Sequence, residues 1–220
     1  VGISMKEDQS DSDNSTYIGF PSGALSAPEY AKEMYNKTNF SESTKRLVGF
    51  LFSLNYSFKD IYLLDASMRI DGSSAFGTDK RFAPFWSFGL GVNLHKYEFM
   101  KSMEFVDQLK IRGSYGQTGK ANFPAYAART TYLVSTDKWY KTGISTKLQA
   151  LGNNKLTWET TNSFDIGAEI TLFHDFLYVK GSYYNKRTID LINDVTVPTS
   201  TGFTSYRDNI GEVSNKGCEF

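Results

Sequence analysis

The residues through which this chain could do chemistry are few, and their spacing argues against most of it. His95 and His174 each lack a second nitrogen or sulfur ligand at metal spacing, so no metal centre is expected. Asp175 follows His174 directly, but adjacent residues of an extended chain point to opposite faces. That leaves no nucleophile, base and acid set, and the chain is not read as an enzyme; a membrane-barrel phospholipase or protease is the formal enzyme alternative. Gly89-Leu90-Gly91 and the Gly/Ser run after Asp71 lack the Lys-Ser/Thr pair and the following helix of a phosphate cradle, and no cofactor is called for. Asp71 and Asp79 with nearby serines carry oxygens suited to Ca²⁺, although a solvated acidic loop is the commoner use of such residues. Trp139, Tyr140 and Trp158 offer aromatic faces on which a sugar ring could stack or a lid protein could pack; loop aromatics also pack on one another.

A second set of polar residues is informative because of its parity. In 61–70, Tyr62, Leu64, Ala66, Met68 and Ile70 share one face, and Asp65 and Arg69 fall on the other. In 109–115 the apolar side holds Leu109, Ile111 and Tyr115, and Lys110 and Arg112 oppose them. In 162–172, Phe164, Ile166, Ala168, Ile170 and Leu172 oppose Asp165 and Glu169. The runs 46–58, 85–95 and 176–185 alternate in the same way. Charged residues confined to one parity of a strand near ten residues long suit a wet or plugged lumen and would be costly in a dry core. Asp65, Arg69, Lys110, Arg112, Asp165 and Glu169 are therefore the candidate lumen-facing polar residues.

The positioning elements are thus strands: six of them, with the start of a seventh at Gly217–Phe220. Composition agrees, since 14 Tyr, 17 Phe and 3 Trp beside 18 Gly and only 5 Pro favour extended structure. Lys plus Arg equals Asp plus Glu at 24 each, which gives no electrostatic case for nucleic acid. No apolar run approaches the length of a membrane-spanning helix, so any membrane crossing is by strands. Cys218 is alone and forms no internal disulfide. Val1–Asp13 carry neither an initiator Met nor a leader, so the sequence reads as an internal piece, open at both ends.

Connection lengths alternate. Those near 59–60 and 173–175 are tight and 96–104 is modest, whereas 71–84, 116–161 and 186–211 are long, and the polar stretch 1–45 reads as a further long exposed loop. Short turns at one edge and long loops at the other mark an outer-membrane barrel, with aromatics such as Tyr56, Phe58 and Tyr62 at one interface and Trp86 and Tyr115 nearer the other. A soluble sandwich or barrel also alternates its faces and is the competing fold.

Several stretches resemble the barrels of SusC/RagA-like TonB-dependent outer-membrane transporters of Bacteroidetes. They are Arg69-Ile70-Asp71-Gly72-Ser73-Ser74-Ala75-Phe76-Gly77, Arg81-Phe82-Ala83-Pro84-Phe85-Trp86-Ser87 and Leu109-Lys110-Ile111-Arg112-Gly113-Ser114-Tyr115-Gly116-Gln117-Thr118-Gly119. Leu156-Thr157-Trp158-Glu159, the run Tyr183–Ile192, and Pro198–Phe203 followed by Asn209–Gly217 continue the likeness in family order over roughly 46–220. The resemblance implies an all-β fold: an antiparallel transmembrane segment of a barrel of about 22 strands, closed by a plug that lies outside this sequence. It further implies residues 1–45 as an extracellular loop, 46–220 as partial barrel, and the cell outer membrane of a Gram-negative bacterium as the location. The implied partners are outer-membrane lipid, a SusD-like lipoprotein, the TonB complex, and an oligosaccharide or peptide as cargo. A receptor or adhesin barrel without active transport is the functional alternative.

Overall fold

A chain that alternates apolar and polar side chains satisfies both its backbone and its two faces in a sheet. The computed structural model describes residues 1–24, 26–35, 39–77, 80–120, 124–126, 128–141 and 143–220, without the side chains of 39, 40, 133, 135–140 and 144. In chain order the strands are β1 (Gly2–Asn14), β2 (Tyr17–Ile18), β3 (Glu33–Met34), β4 (Asn39–Phe58), β5 (Tyr62–Ser73), β6 (Phe82–Asn93), β7 (Val106–Lys120), β8 (Thr131–Tyr140), β9 (Gly143–Ala150), β10 (Glu159–Leu172), β11 (Leu177–Thr196) and β12 (Ser205–Glu219). Eight of them form one antiparallel sheet in the order β1-β4-β5-β6-β7-β10-β11-β12, while β2-β3 and β8-β9 are separate two-stranded hairpins.

Register carries the two faces across the whole sheet. Tyr56 lies opposite Leu64, then Leu90, Gly113, Ile166 and Tyr183, and one residue along, Asn55 lies opposite Asp65, Gly89, Ser114, Asp165 and Tyr184. The first row is apolar and the second polar. None of the described residues covers the apolar face: Phe52, Tyr56, Phe88 and Leu90 are all roughly half exposed.

The tight turns lie at one edge. Lys59 and Asp60 both take φ of 54°, and the Ile61 N–H donates to the Phe58 carbonyl at 3.1 Å. Between β10 and β11, Phe173, His174 and Asp175 take φ of 58°, 57° and 65°, and the Phe176 N–H donates to the Phe173 carbonyl at 3.3 Å. Positive φ at both central residues matches the right-handed strand twist that a two-residue turn must join. The same edge holds 94–105, with a one-turn helix α1 (Glu98–Lys101). Rings cluster there, with Phe58 6.5 Å from Tyr62, Tyr62 6.4 Å from Tyr97 and Tyr97 5.6 Å from Phe99. Trp86 and Tyr115 meet edge to face at 5.5 Å farther along the strands. No helix among the described residues is long and apolar enough to cross a membrane.

Three expectations need correction. Residues 2–14 are not loop but strand β1, paired with β4 from Gly2 opposite Leu51 to Asn14 opposite Asn39. Its Ser, Asp, Asn and Gln show no period because both faces are polar; the partner's backbone ladder holds it, with Arg46 and Glu7 paired across at 2.8 Å. The connections are shorter than 71–84, 116–161 and 186–211. They run 74–81, 121–158 with the β8-β9 hairpin inside, and 197–204, because the strands continue past the alternating part. The main sheet therefore has eight strands rather than six and the start of a seventh. Strands β4 and β11 have 20 residues each, where about 9–11 tilted residues cross a bilayer, so much of each projects beyond.

Candidate functional site

The polar face gathers the charges that parity singled out. Asp65 on β5, Lys110 and Arg112 on β7 and Asp165 on β10 surround one depression of about 420 Å³, floored by Gly89, Gly91 and Gly167 and closed toward β12 by Glu219. Glu169 joins them through Arg112, whose Nε lies 3.6 Å from its Oε1. Asn55 donates its amide hydrogen to the Asp65 carboxylate from the neighbouring strand. Glycine at 167 has a structural reason: a Cβ there would sit 3.1 Å from the Gly181 carbonyl oxygen and 3.6 Å from the Arg112 guanidinium, which lies across it. Charges of both signs in an open, solvated depression hold water and polar groups, and each such pair contributes about 0–1 kcal/mol to stability.

Arg69 is not part of that depression. It lies farther toward the long-connection edge, where its Nε donates to Asp71 at 2.5 Å and its Nη2 to the Ser4 hydroxyl at 3.4 Å. Asp71 is thereby engaged as an ion-pair partner, and Asp79 lies outside the described residues.

The aromatic candidates divide. Trp158 is 5% exposed and buried against Phe76, at 4.7 Å between ring centroids, and Phe85, at 5.6 Å, while its indole N–H donates to the Arg81 carbonyl at 3.4 Å. The buried ring is thus committed to packing, which corrects the reading of Trp158 as a stacking platform for a ligand. The backbone of Trp139 and Tyr140 ends β8, opposite Ile144 and Gly143, and their side chains lie outside the described residues. His95 lies in the 94–105 connection with Nδ1 3.3 Å from the Leu109 carbonyl oxygen, and His174 is a turn residue.

The structure adds residues that sequence reasoning passed over, and they fix the connection 151–158 onto β11 and β12. Asn209 accepts from the Thr157 N–H at 3.0 Å and donates to the carbonyls of Thr157 at 3.1 Å and Asp190 at 2.6 Å. Asn153 donates to the Arg207 carbonyl at 3.0 Å and the Asp208 carboxylate at 3.1 Å. A bulge in β11, with Asp190 at φ of 58°, breaks the ladder before Ile192, whose N–H donates instead to the buried Glu159 carboxylate at 3.0 Å. Gly119 belongs to this group, since a Cβ there would enter the Phe85 ring. Asn153 and Asn209 carry no periodic signal; only the doubled Asn153-Asn154 beside Trp158 marks the spot.

These features match known proteins. The family model described as TonB dependent receptor-like, beta-barrel covers residues 4–220. TonB-dependent receptor P26 of Formosa agariphila is 39% identical over 178 residues, which is 80% of this chain and 18% of that protein. TonB-dependent receptor SusC of Bacteroides thetaiotaomicron is 32% identical over 180 residues, 79% of this chain and 18% of that protein. The solved structure of the RagAB peptide importer in its closed-closed state superposes with a TM-score of 0.81 at 25% identity, over 98% of this chain and 24% of that one. The chain thus spans less than a fifth of the length of these curated relatives. An antiparallel meander with one apolar face, one charged face and turns of alternating length is wall from such a barrel in a Gram-negative outer membrane, and the chain belongs to the TonB-dependent receptor-like β-barrel family, of the SusC/RagA-like kind.

Proposed function

We propose that the full-length protein imports a nutrient too large for porins, an oligosaccharide or a peptide, across the outer membrane, with TonB supplying the energy and a SusD-like lipoprotein closing the outer mouth. The observation that carries this reading is the continuous two-faced wall in a chain whose relatives are named TonB-dependent receptors. In this reading the tight-turn edge is periplasmic, and the connections 15–38, 74–81, 121–158 and 197–204 are extracellular. Asp65, Lys110, Arg112, Asp165 and Glu169 keep the inner wall hydrated where a polar plug or passing cargo slides over it, and Arg69 does so nearer the mouth. Trp139 and Tyr140, at the end of strand β8, meet cargo or the lid protein. The chain contributes wall, rim and recognition, and no catalysis.

The test is uptake by living cells. Deleting the gene should abolish growth on one class of oligomer, glycan or peptide, while growth on its monomer persists, and depleting TonB should reproduce the loss. If the deletion removes surface binding of an oligomer or partner but leaves every uptake rate unchanged, a receptor or adhesin barrel without transport is the function instead.

A further inference from the structure

At the long-connection edge, β1, β4 and residues 72–74 and 81–82 border an open cavity of about 750 Å³, whose lining includes Lys6, Arg46, Arg81 and the exposed Arg129. Two of these cations are already paired, Lys6 with Asp8 at 2.9 Å and Arg46 with Glu7 at 2.8 Å, and Glu7 is the one carboxylate lining the cavity among the described residues. Arg81 and Arg129 have no ion-pair partner among the described residues. The Nε of Arg81 is buried and lacks a hydrogen-bond acceptor among the described residues. A guanidinium does not shed its proton, so a donor in that position remains charged and needs an acceptor. Ser73, 1% exposed, accepts the Ala75 N–H at 3.3 Å, and Ser74 accepts the Arg46 N–H at 2.9 Å. Each hydroxyl therefore uses its oxygen on the backbone and keeps its proton to donate.

We propose that this cavity binds an oxyanion group, a sulfate, phosphate or carboxylate, through the guanidinium forks of Arg81 and Arg129 and the hydroxyls of Ser73 and Ser74. Donors without matching acceptors, two of them planar forks, fit the trigonal or tetrahedral oxygens of such a group. The volume lies in the range that holds a whole small molecule, so the oxyanion is borne on something larger, either a soluble oligomer or the headgroup of an outer-leaflet lipid. Parity did not mark this site, because Arg81 and Arg129 stand outside the strands, and it is separate from the wall depression around Arg112.

Equilibrium dialysis of labelled sulfate and phosphate against the purified full-length protein in detergent tests it. Wild type should bind both saturably, and sulfate with little change between about pH 6 and 9, since neither guanidinium nor sulfate titrates there. Arg81→Gln should weaken binding about tenfold and Arg81→Lys less, while Arg187→Gln, at an arginine held by Glu212, should change nothing. Heat-modifiable gel migration confirms that each variant is folded. In nanodiscs, sulfate binding lost only with lipid A present assigns the site to a lipid phosphate; binding retained in both lipid A and phosphatidylcholine discs assigns it to a soluble or cargo-borne anion. Absence of saturable binding by wild type, or undiminished binding by folded Arg81→Gln, overturns the proposal, the latter meaning that water serves the Arg81 donor.

Discussion

The half of the sheet near the tight turns and the half near the long connections are held by different physics. In the first, the inner strands pair along long ladders, apolar side chains stand uncovered on one face, and specificity lies in alternation. In the second, the strands have outrun their alternating pattern, and order comes from a buried aromatic cluster and from asparagines that cap loop backbone across the chain. The first half leaves its apolar face exposed, whereas the second carries a small core of its own.

Tryptophan occurs both on the uncovered apolar face and in the buried aromatic cluster and allows the sharpest comparison. Trp158→Ala removes a buried ring packed on Phe76 and Phe85 and should cost about 3–5 kcal/mol locally, exposing the 151–158 connection to protease. Trp86→Ala takes away a half-exposed outward ring and should leave protease sensitivity of that connection unchanged. Limited proteolysis of the refolded barrel reads both; equal sensitivity of the two variants would mean that the buried cluster and the apolar face are not separately held.

The wall can be tested by charge. Leu90 stands outward in mid-sheet between Leu64 and Gly113, so Leu90→Arg should destabilise the barrel in lipid by about 2–4 kcal/mol. Ser114→Arg, on the polar face beside Gly89 and Asp165, should cost little. Denaturant titration in lipid vesicles compares them, and a similar loss for both would reverse or abolish the assignment of faces.

This contrast also explains what the sequence made legible. Alternation identified β5, β6, β7 and β10 and sorted Asp65, Lys110, Arg112, Asp165 and Glu169 onto one face, because strand period alone determines which way a side chain points. It missed β1, whose Lys6-Glu7-Asp8-Gln9-Ser10 has no apolar member and is extended only because β4 offers a ladder. Trp158 was misassigned because an aromatic residue in a loop looks the same in sequence whether it faces ligand or a buried Phe. Phe85 lies on the polar parity of β6, so its partner role emerges only when the connection folds back over it. Asn209 was invisible for a related reason: its three contacts lie 19 and 52 residues away.

Asn209 gives a smaller effect than either substitution above. Asn209→Ala leaves the Thr157 N–H and carbonyl without their partner, at about 1–3 kcal/mol. Amide hydrogen exchange should quicken over 151–158 and stay unchanged in β4–β6. Exchange that quickens equally in both places would show the rim and the wall opening as one unit.

The smallest effect belongs to the tight-turn edge and depends on pH. The Tyr97 hydroxyl lies 2.6 Å from that of Tyr62, and this hydrogen bond, then desolvation, then repulsion from a Tyr62 phenolate raise its pKa above the ordinary tyrosine value. An acid whose pKa is raised on folding stabilises through its protonated form. The contribution is therefore complete below about pH 10 and is lost as the pH climbs from there through the raised value. Tyrosinate absorbance of wild type minus Tyr97→Phe should give a difference curve with its midpoint above that of free tyrosine. A midpoint at the free value would mean that the two hydroxyls do not share a proton, and the connection 94–105 would then be held to β5 by ring packing alone.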